Sequence, residues 1–304
     1  MVLSHFTYYK MPNAKLTNYV HLHFIVFVWG FTAVLGKLIT IDALPLVWFR
    51  MTIAVVFIAF FAGYKRYTLR VDTKTLLWLL AAGITIALHW VTFFKAIKVA
   101  NVSIALATMA TGAFFTALLE PIWYRRKIIG YEIVFGLVVI IGLGIIFNVE
   151  TKYATGIVLA LVSAFFSAVF SLINGKLVAT HRATVISLYE LGAGVLFLSI
   201  YLLSTGSFTS DFFQLSGNDL FYIFILASIC TAYAFIASVQ VMKYISPYTV
   251  MLTINLEPVY GIVIAYFVFE GSEKMNALFY FGALIILSTV IANGVLKNRK
   301  SSQG

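Results

Sequence analysis

Ten apolar stretches follow one another from Tyr19 to Leu296 with only short polar breaks between them, and most are long enough to cross a bilayer. A helix crossing a hydrocarbon core of about 30 Å needs roughly 20 mainly apolar residues. The runs lie near 19–40, 44–63, 75–97, 101–123, 128–148, 155–178, 183–204, 219–242, 247–269 and 276–297. With 62% hydrophobic and 11% charged residues in a chain of 304, there is more apolar surface than a soluble domain of this size covers. Backbone polar groups in lipid have to be satisfied within the segment, and the runs lack the two-residue alternation of barrel strands. The expected fold is therefore an all-α polytopic membrane protein with ten transmembrane helices.

Topology follows from the cations. The first run is about 22 residues long, follows an 18-residue lead carrying Lys10 and Lys15, and has no small-x-small cleavage pattern after it, so it is expected to stay as a span. A cytoplasmic N-terminus places fifteen of the 21 Lys and Arg residues inside, among them Lys65, Arg66, Arg70, Arg125, Arg126 and Arg182. Five fall outside (Lys37, Lys95, Lys98, Lys152 and Lys274), beside the acids Asp42, Glu150, Asp211, Asp219, Glu270 and Glu273. That bias predicts both termini on the cytoplasmic side of a cell's inner membrane. Because the charge of +10 sits in short loops at helix ends rather than in a patch or arm, nucleic acid is not an expected partner. The lone Cys230 falls inside the eighth span, so it has no intrachain disulfide partner and no second thiol for a metal site.

The chain echoes itself. Gly36-Lys37-Leu38 returns as Gly175-Lys176-Leu177 at a spacing of 139, and Ile97-Lys98-Val99-Ala100-Asn101 matches Met242-Lys243-Tyr244-Ile245-Ser246 at 145. Leu119-Glu120-Pro121 and Leu256-Glu257-Pro258 are spaced by 137, which breaks the trend and reads as coincidence. The expected organisation is a lead over 1–18, a first five-helix repeat over 19–148, a second over 155–297 and a tail over 298–304. Five is odd, so the second repeat enters the membrane upside down relative to the first, an arrangement that places binding sites near the midplane between the halves.

Trp29-Gly30 in span one, Pro45 with Phe49-Arg50 in span two, Phe94-Lys95-Ala96 before span four, Gly156 in span six, Thr231-Ala232-Tyr233 in span eight and Glu257-Pro258-Val259-Tyr260 followed by Glu270-Gly271 keep a characteristic order and spacing. In these features nearly the whole chain resembles the ten-helix EamA-type proteins of the drug/metabolite transporter superfamily. Span four differs from that pattern in carrying Ala113 where proline is common, and Arg125-Arg126 where an acidic residue usually ends the span. The resemblance implies a secondary transporter, commonly an exporter of amino acids or related metabolites, with a cavity lined by spans 1, 3, 4, 6, 8 and 9.

Ionisable groups inside a membrane are costly, roughly 2.5–3.5 kcal/mol at a helix centre, so each is a candidate site residue. Glu257, ten residues from Pro247 and thirteen from Glu270, lies near the middle of span nine and is the first candidate for a proton or substrate-ammonium site. Thr253, Glu257, Tyr260, Gly261 and Ile264 share one helical face, and Pro258 leaves the carbonyl of Ile254 without its donor, which predicts a kink there. Glu120 and Glu132 lie five residues from Arg125 and Lys127, within reach of the cytoplasmic interface, and Pro121 predicts an irregularity near the inner mouth. Glu190, on a face with Gly194, Phe197 and Tyr201, is either a second acid or a brace.

His89 shares a face with Thr85, Phe93 and Ala96, with Trp90 about 100° around; it is either a proton relay or carboxylate contact, or a core histidine with one satisfied hydrogen bond. Trp29, Tyr260, Asn174 and Tyr233 are candidate lining groups, and such a mixed aromatic and polar wall suits an amphipathic small solute. Arg50 either snorkels to the outer interface near Asp42 or serves as a gate pair or a contact to an anionic group. No phosphate loop, dinucleotide loop, zinc helix or hydrolase elbow occurs, which argues against an ATP-driven pump and leaves no metal, cofactor or catalytic set to expect. The expected function is secondary active transport of a small organic metabolite by alternating access, the alternative being an intramembrane enzyme or a non-transporting scaffold. Expected partners are the small-molecule substrate, the lipid bilayer and the proton as candidate coupling ion, with a homodimer as candidate assembly.

Overall fold

Helices account for every expected span. The computed structural model describes residues 15–125, 127, 130–269, 271 and 274–301, and shows no strand among them. Lys10, Arg126, Glu270 and Glu273 lie outside the described residues, as do the side chains of Glu132, Lys297, Arg299 and Lys300. The first three spans are α1 (Leu16–Leu38), α2 (Ala43–Tyr64) and α3 (Thr73–Val99). The fourth is split into α4 (Val102–Met109) and α5 (Gly112–Tyr124), and α6 (Gly130–Val149), α7 (Ala154–Leu177) and α8 (Ala183–Ser204) follow. The eighth consists of α9 (Gly217–Ala227) and α10 (Ala234–Val241) joined through a π-helical stretch at Ser228–Tyr233. The ninth is split into α11 (Pro247–Ile254) and α12 (Glu257–Val268), and α13 (Ala277–Ser301) is the tenth.

Local chemistry sets the ends. Asp72, Asn101, Ser216 and Ser246 each accept a hydrogen bond from the backbone N–H three residues on, satisfying an orphan donor of α3, α4, α9 and α11. At the exposed start of α3, the hydrogen bonds from the Thr75 hydroxyl and amide hold the Asp72 carboxyl below its usual range. Pro247 opens α11, where its missing N–H costs nothing.

At both helix breaks the backbone turns back to carbonyls three residues earlier. At Thr111 both the amide and the hydroxyl bond the Thr108 carbonyl, at 3.1 and 2.8 Å, taking the acceptor that Gly112 would use in a continuous helix. In the ninth span Asn255 and Leu256 turn back to Leu252 and Thr253 at 3.2 and 3.0 Å, and Pro258 has no N–H to offer Ile254. The kink predicted from Pro258 is thus present. The irregularity predicted at Pro121 is not: α5 runs through it to Tyr124, and the interruption lies at Ala110–Thr111 instead.

These breaks also fix the repeat. The caps Asn101 and Ser246 are 145 residues apart, and so are the breaks at Ala110–Thr111 and Asn255–Leu256. With that offset Glu257 corresponds to Gly112, so the two Leu-Glu-Pro triplets occupy different depths. The halves cross as inverted copies: α4 packs on α12 and α5 on α11. A reciprocal contact marks the pseudo-twofold axis between α6 and α13, where a Cβ on Gly142 would stand 3.0 Å from the Gly282 carbonyl and one on Gly282 would stand 2.9 Å from that of Gly142.

Spans 1 to 4 and 6 to 9 share the main core, in which Leu22, Met51, Phe94, Ala160, Leu198 and Val250 are buried. Spans 5 and 10 form a satellite, with Val139, Ile146, Phe279 and Ile286 resting on Ile104 and Ile157. Large apolar side chains such as Phe60, Ile122, Leu203 and Phe267 point outward, as a surface in contact with lipid requires.

Candidate functional site

The π-helical turn of the eighth span organises the centre of the bundle. Widening the helix there turns polar groups towards its neighbours, and several bonds use them. Trp29 Nε1 of α1 donates to the Cys230 carbonyl at 3.0 Å, and the Cys230 thiol meets the Val28 carbonyl at 3.7 Å. Thr231 Oγ1 donates to the Leu226 carbonyl at 2.7 Å and accepts from Arg50 Nε of α2 at 2.6 Å.

Arg50 is buried, with 1% of its surface exposed, so it does not snorkel outward. Asp42, its nearest acid in sequence, pairs instead with Lys95 at 3.8 Å across an exposed surface, a contact worth little. The Arg50 guanidinium lies over the Trp90 ring, 3.9 Å from its centroid, and 5.4 Å from that of Phe94. Such stacking compensates part of a desolvated cation's cost. Nη1 has no hydrogen-bond partner among the described residues. Glu257 is near enough for the two charges to interact, yet no acid lies within 4 Å of the guanidinium among the described residues. Glu257 is itself half-buried at the first position of α12, directly after the break, and its carboxylate has no hydrogen bond among the described residues.

His89 pins the halves together. Its Nδ1 lies 3.0 Å from the Ser163 carbonyl and 2.8 Å from the Ser163 hydroxyl, which in turn donates to the His89 carbonyl at 2.8 Å. A carbonyl only accepts, so Nδ1 carries the hydrogen. The ring faces Phe170 at 5.4 Å, and Phe235 continues the aromatic wall to Trp90 at 6.0 Å.

Asn174 and Glu190 form a separate buried pair. With the amide oriented to present its NH2 group, Asn174 donates to both Glu190 oxygens, at 3.2 Å to Oε2, and ties α7 to α8. Glu120 is buried in α5, one helical turn before Tyr124. Tyr260 is half-buried between α12 and α1, edge-on to Phe27 at 5.4 Å. Tyr233 is 43% exposed and bonds His21 Nε2 at 2.8 Å on the outer surface of the bundle, so it does not line the centre. The structure thus brings together Trp29, Arg50, Glu257 and, through the aromatic wall, His89; Tyr260 packs on α1 at Gly30, Asn174 and Glu190 bond each other, and Tyr233 faces outward. Thr231 and Trp90 are contributors to which the sequence assigns no role, although Thr231 stands in the Thr231-Ala232-Tyr233 feature of span eight and Trp90 beside His89.

One end of the bundle is held shut by polar contacts. Asp219 accepts from Thr40 N and Thr40 Oγ1, both at 2.6 Å, and from Ser216 Oγ at 2.8 Å, while the Lys98 ammonium bonds the Ile39 carbonyl. The Asp219–Thr40 bonds join the turn after α1 to the start of α9, across the two halves, and Lys98 ties the end of α3 to the same turn.

Two inverted helical halves that meet at a polar midplane with broken helices have the architecture of a membrane transporter of small solutes. The protein belongs to the EamA-like transporter family, whose model matches residues 19–148 and again 154–294. It is a multi-pass membrane protein. One solved crystal structure is similar over 94% of this chain and 99% of that one, with a TM-score of 0.68 at 14% sequence identity, a likeness of fold. None of the curated proteins compared matches this chain.

Proposed function

We propose that the protein is a secondary active transporter that exports a small organic metabolite, an amino acid or related solute, across the cytoplasmic membrane by alternating access. Its halves, 19–148 and 155–297, rock about the midplane, and Glu257 is the site of proton coupling or of a substrate ammonium. The observation that supports this reading is a carboxylate with no hydrogen bond among the described residues, at a helix break between two repeats of a transporter family. An ionisable group with no structural bond in such a place is held for a ligand or a proton.

The test is counterflow in liposomes reconstituted with the purified protein, against a panel of amino acids, amines, sugars and nucleosides. Saturable exchange of at least one metabolite is expected; a membrane enzyme or scaffold moves none, and that result sinks the reading. Both termini are expected in the cytoplasm, which puts the α2–α3 and α7–α8 turns on one side. Single cysteines replacing Arg70 and Arg182, in a background where Cys230 is Ser, should react with an impermeant maleimide from the inner face only. Labelling from opposite faces overturns the topology.

A further inference from the structure

We propose that Arg50 is the receptor for a carboxylate on the transported solute. The inference deepens the transport reading and depends on it only in calling the ligand cargo. A guanidinium presents five N–H donors in a planar fork suited to a carboxylate. At Arg50, Nε is used by Thr231 and one face is covered by Trp90, while Nη1 is buried and has no hydrogen-bond partner among the described residues. A strut needs only the Nε bond. A buried donor with no acceptor is costly, and the cost is recovered when an acceptor arrives.

A second ionisable group narrows the ligand further. Glu257 interacts with Arg50 through space but does not touch it, so a guanidinium and a carboxyl group stand near each other without bonding. A solute with both an acid and an amine offers a partner to each. An amine without an acid adds a cation beside Arg50, and a neutral sugar offers the guanidinium no charged acceptor. The aromatic rings of Trp90, Phe235 and Phe170 run on from the guanidinium and give an apolar side chain a surface to rest on.

The test compares solutes that differ by one group. Dissociation constants are measured by calorimetry on the purified protein for L-leucine, for isopentylamine, which lacks the acid, and for 4-methylpentanoate, which lacks the amine. The corresponding phenylalanine, phenethylamine and 3-phenylpropanoate set, with glucose and uridine, completes the panel. Acid-bearing members should bind at least roughly tenfold more tightly than their acid-free partners, the scale of one charge-assisted hydrogen bond. Arg50→Lys, which keeps the charge and loses the fork, should weaken them by about tenfold, and Arg50→Gln by more. Amines or neutral solutes binding as tightly as the acids, an Arg50→Lys protein with unchanged affinities, or no binding by any member overturns the proposal. The comparison on the unaltered protein decides the matter even where a variant fails to fold. Acids that bind but never move in liposomes would leave this site standing and remove the transport reading; movement confined to acid-free solutes would do the reverse.

Discussion

Liposomes carrying the Glu257→Gln protein are expected to show no uptake driven by a pH gradient, under conditions in which the unaltered protein should concentrate its solute. Glutamine keeps the shape of the side chain and removes the titratable proton, so any step in which residue 257 takes up or releases a proton stops. The Glu257 carboxylate makes no hydrogen bond among the described residues, so glutamine breaks none; what it removes is the through-space interaction with buried Arg50. The fold should survive, with a stability change of no more than about 1 kcal/mol, the usual size for a single substitution. Counterflow separates the two roles open to the residue. Exchange needs no net proton movement, so it survives in the variant if Glu257 carries only the proton and disappears if the carboxylate also holds the solute. Unchanged uptake under a pH gradient takes Glu257 out of the mechanism.

Glu190 shows why a buried acid is not by itself a functional one. Sequence ranks Glu257 above Glu190 by its depth in the span and the adjacent Pro258, but leaves Glu190 open as a second acid or a brace. The structure separates them further: the Asn174 amide occupies the Glu190 carboxylate, whereas that of Glu257 has no hydrogen bond among the described residues. The spans themselves were legible because the membrane imposes a length and a composition on each of them. The inversion was legible because a repeat of five spans is odd, and the 145-residue offset read at Asn101 and Ser246 proved to be the offset of both helix caps and both helix breaks. The break in the fourth span was not legible, because it depends on which carbonyl the Thr111 hydroxyl takes, and a threonine in a helix has that choice at any position. The same holds for the π-helical turn: Thr231 and Cys230 become a docking point only once α1 and α2 bring Trp29 and Arg50 against them. Tyr233, two residues further along the same turn and a candidate lining group from the sequence, instead faces the outside of the bundle.

Gly83→Ala should be among the most damaging single-methyl changes in the chain. α3 and α8 approach so closely that a Cβ on Gly83 would lie 2.2 Å from the Glu190 carbonyl and 2.7 Å from the Ala193 Cβ, and the return contact places a Cβ on Gly194 3.0 Å from the Gly83 carbonyl. The obstacle is backbone, which has no rotamer to swing aside, so the two helices have to separate. α8 is not free to retreat, because Glu190 ties it to Asn174 of α7 and its other face packs on α2. Without a hydrophobic drive between helices in lipid, close packing and interhelical bonds are what hold them, and a separated seam forfeits both. A loss of about 1–3 kcal/mol is expected, the usual cost of overpacking, and it is read as a lower melting temperature of the purified protein. Gly63→Ala is the control: nothing lies within 4 Å of a Cβ there, and alanine favours the helix by about 1 kcal/mol over glycine, so its melting should hold or rise. α3 belongs to the first repeat and α8 to the second, so this seam also lies where the halves move against each other. If Gly83→Ala melted like the unaltered protein, the seam would be one that opens by an ångström at no cost, and the rigid contact between the halves would have to be sought instead at His89 and Ser163.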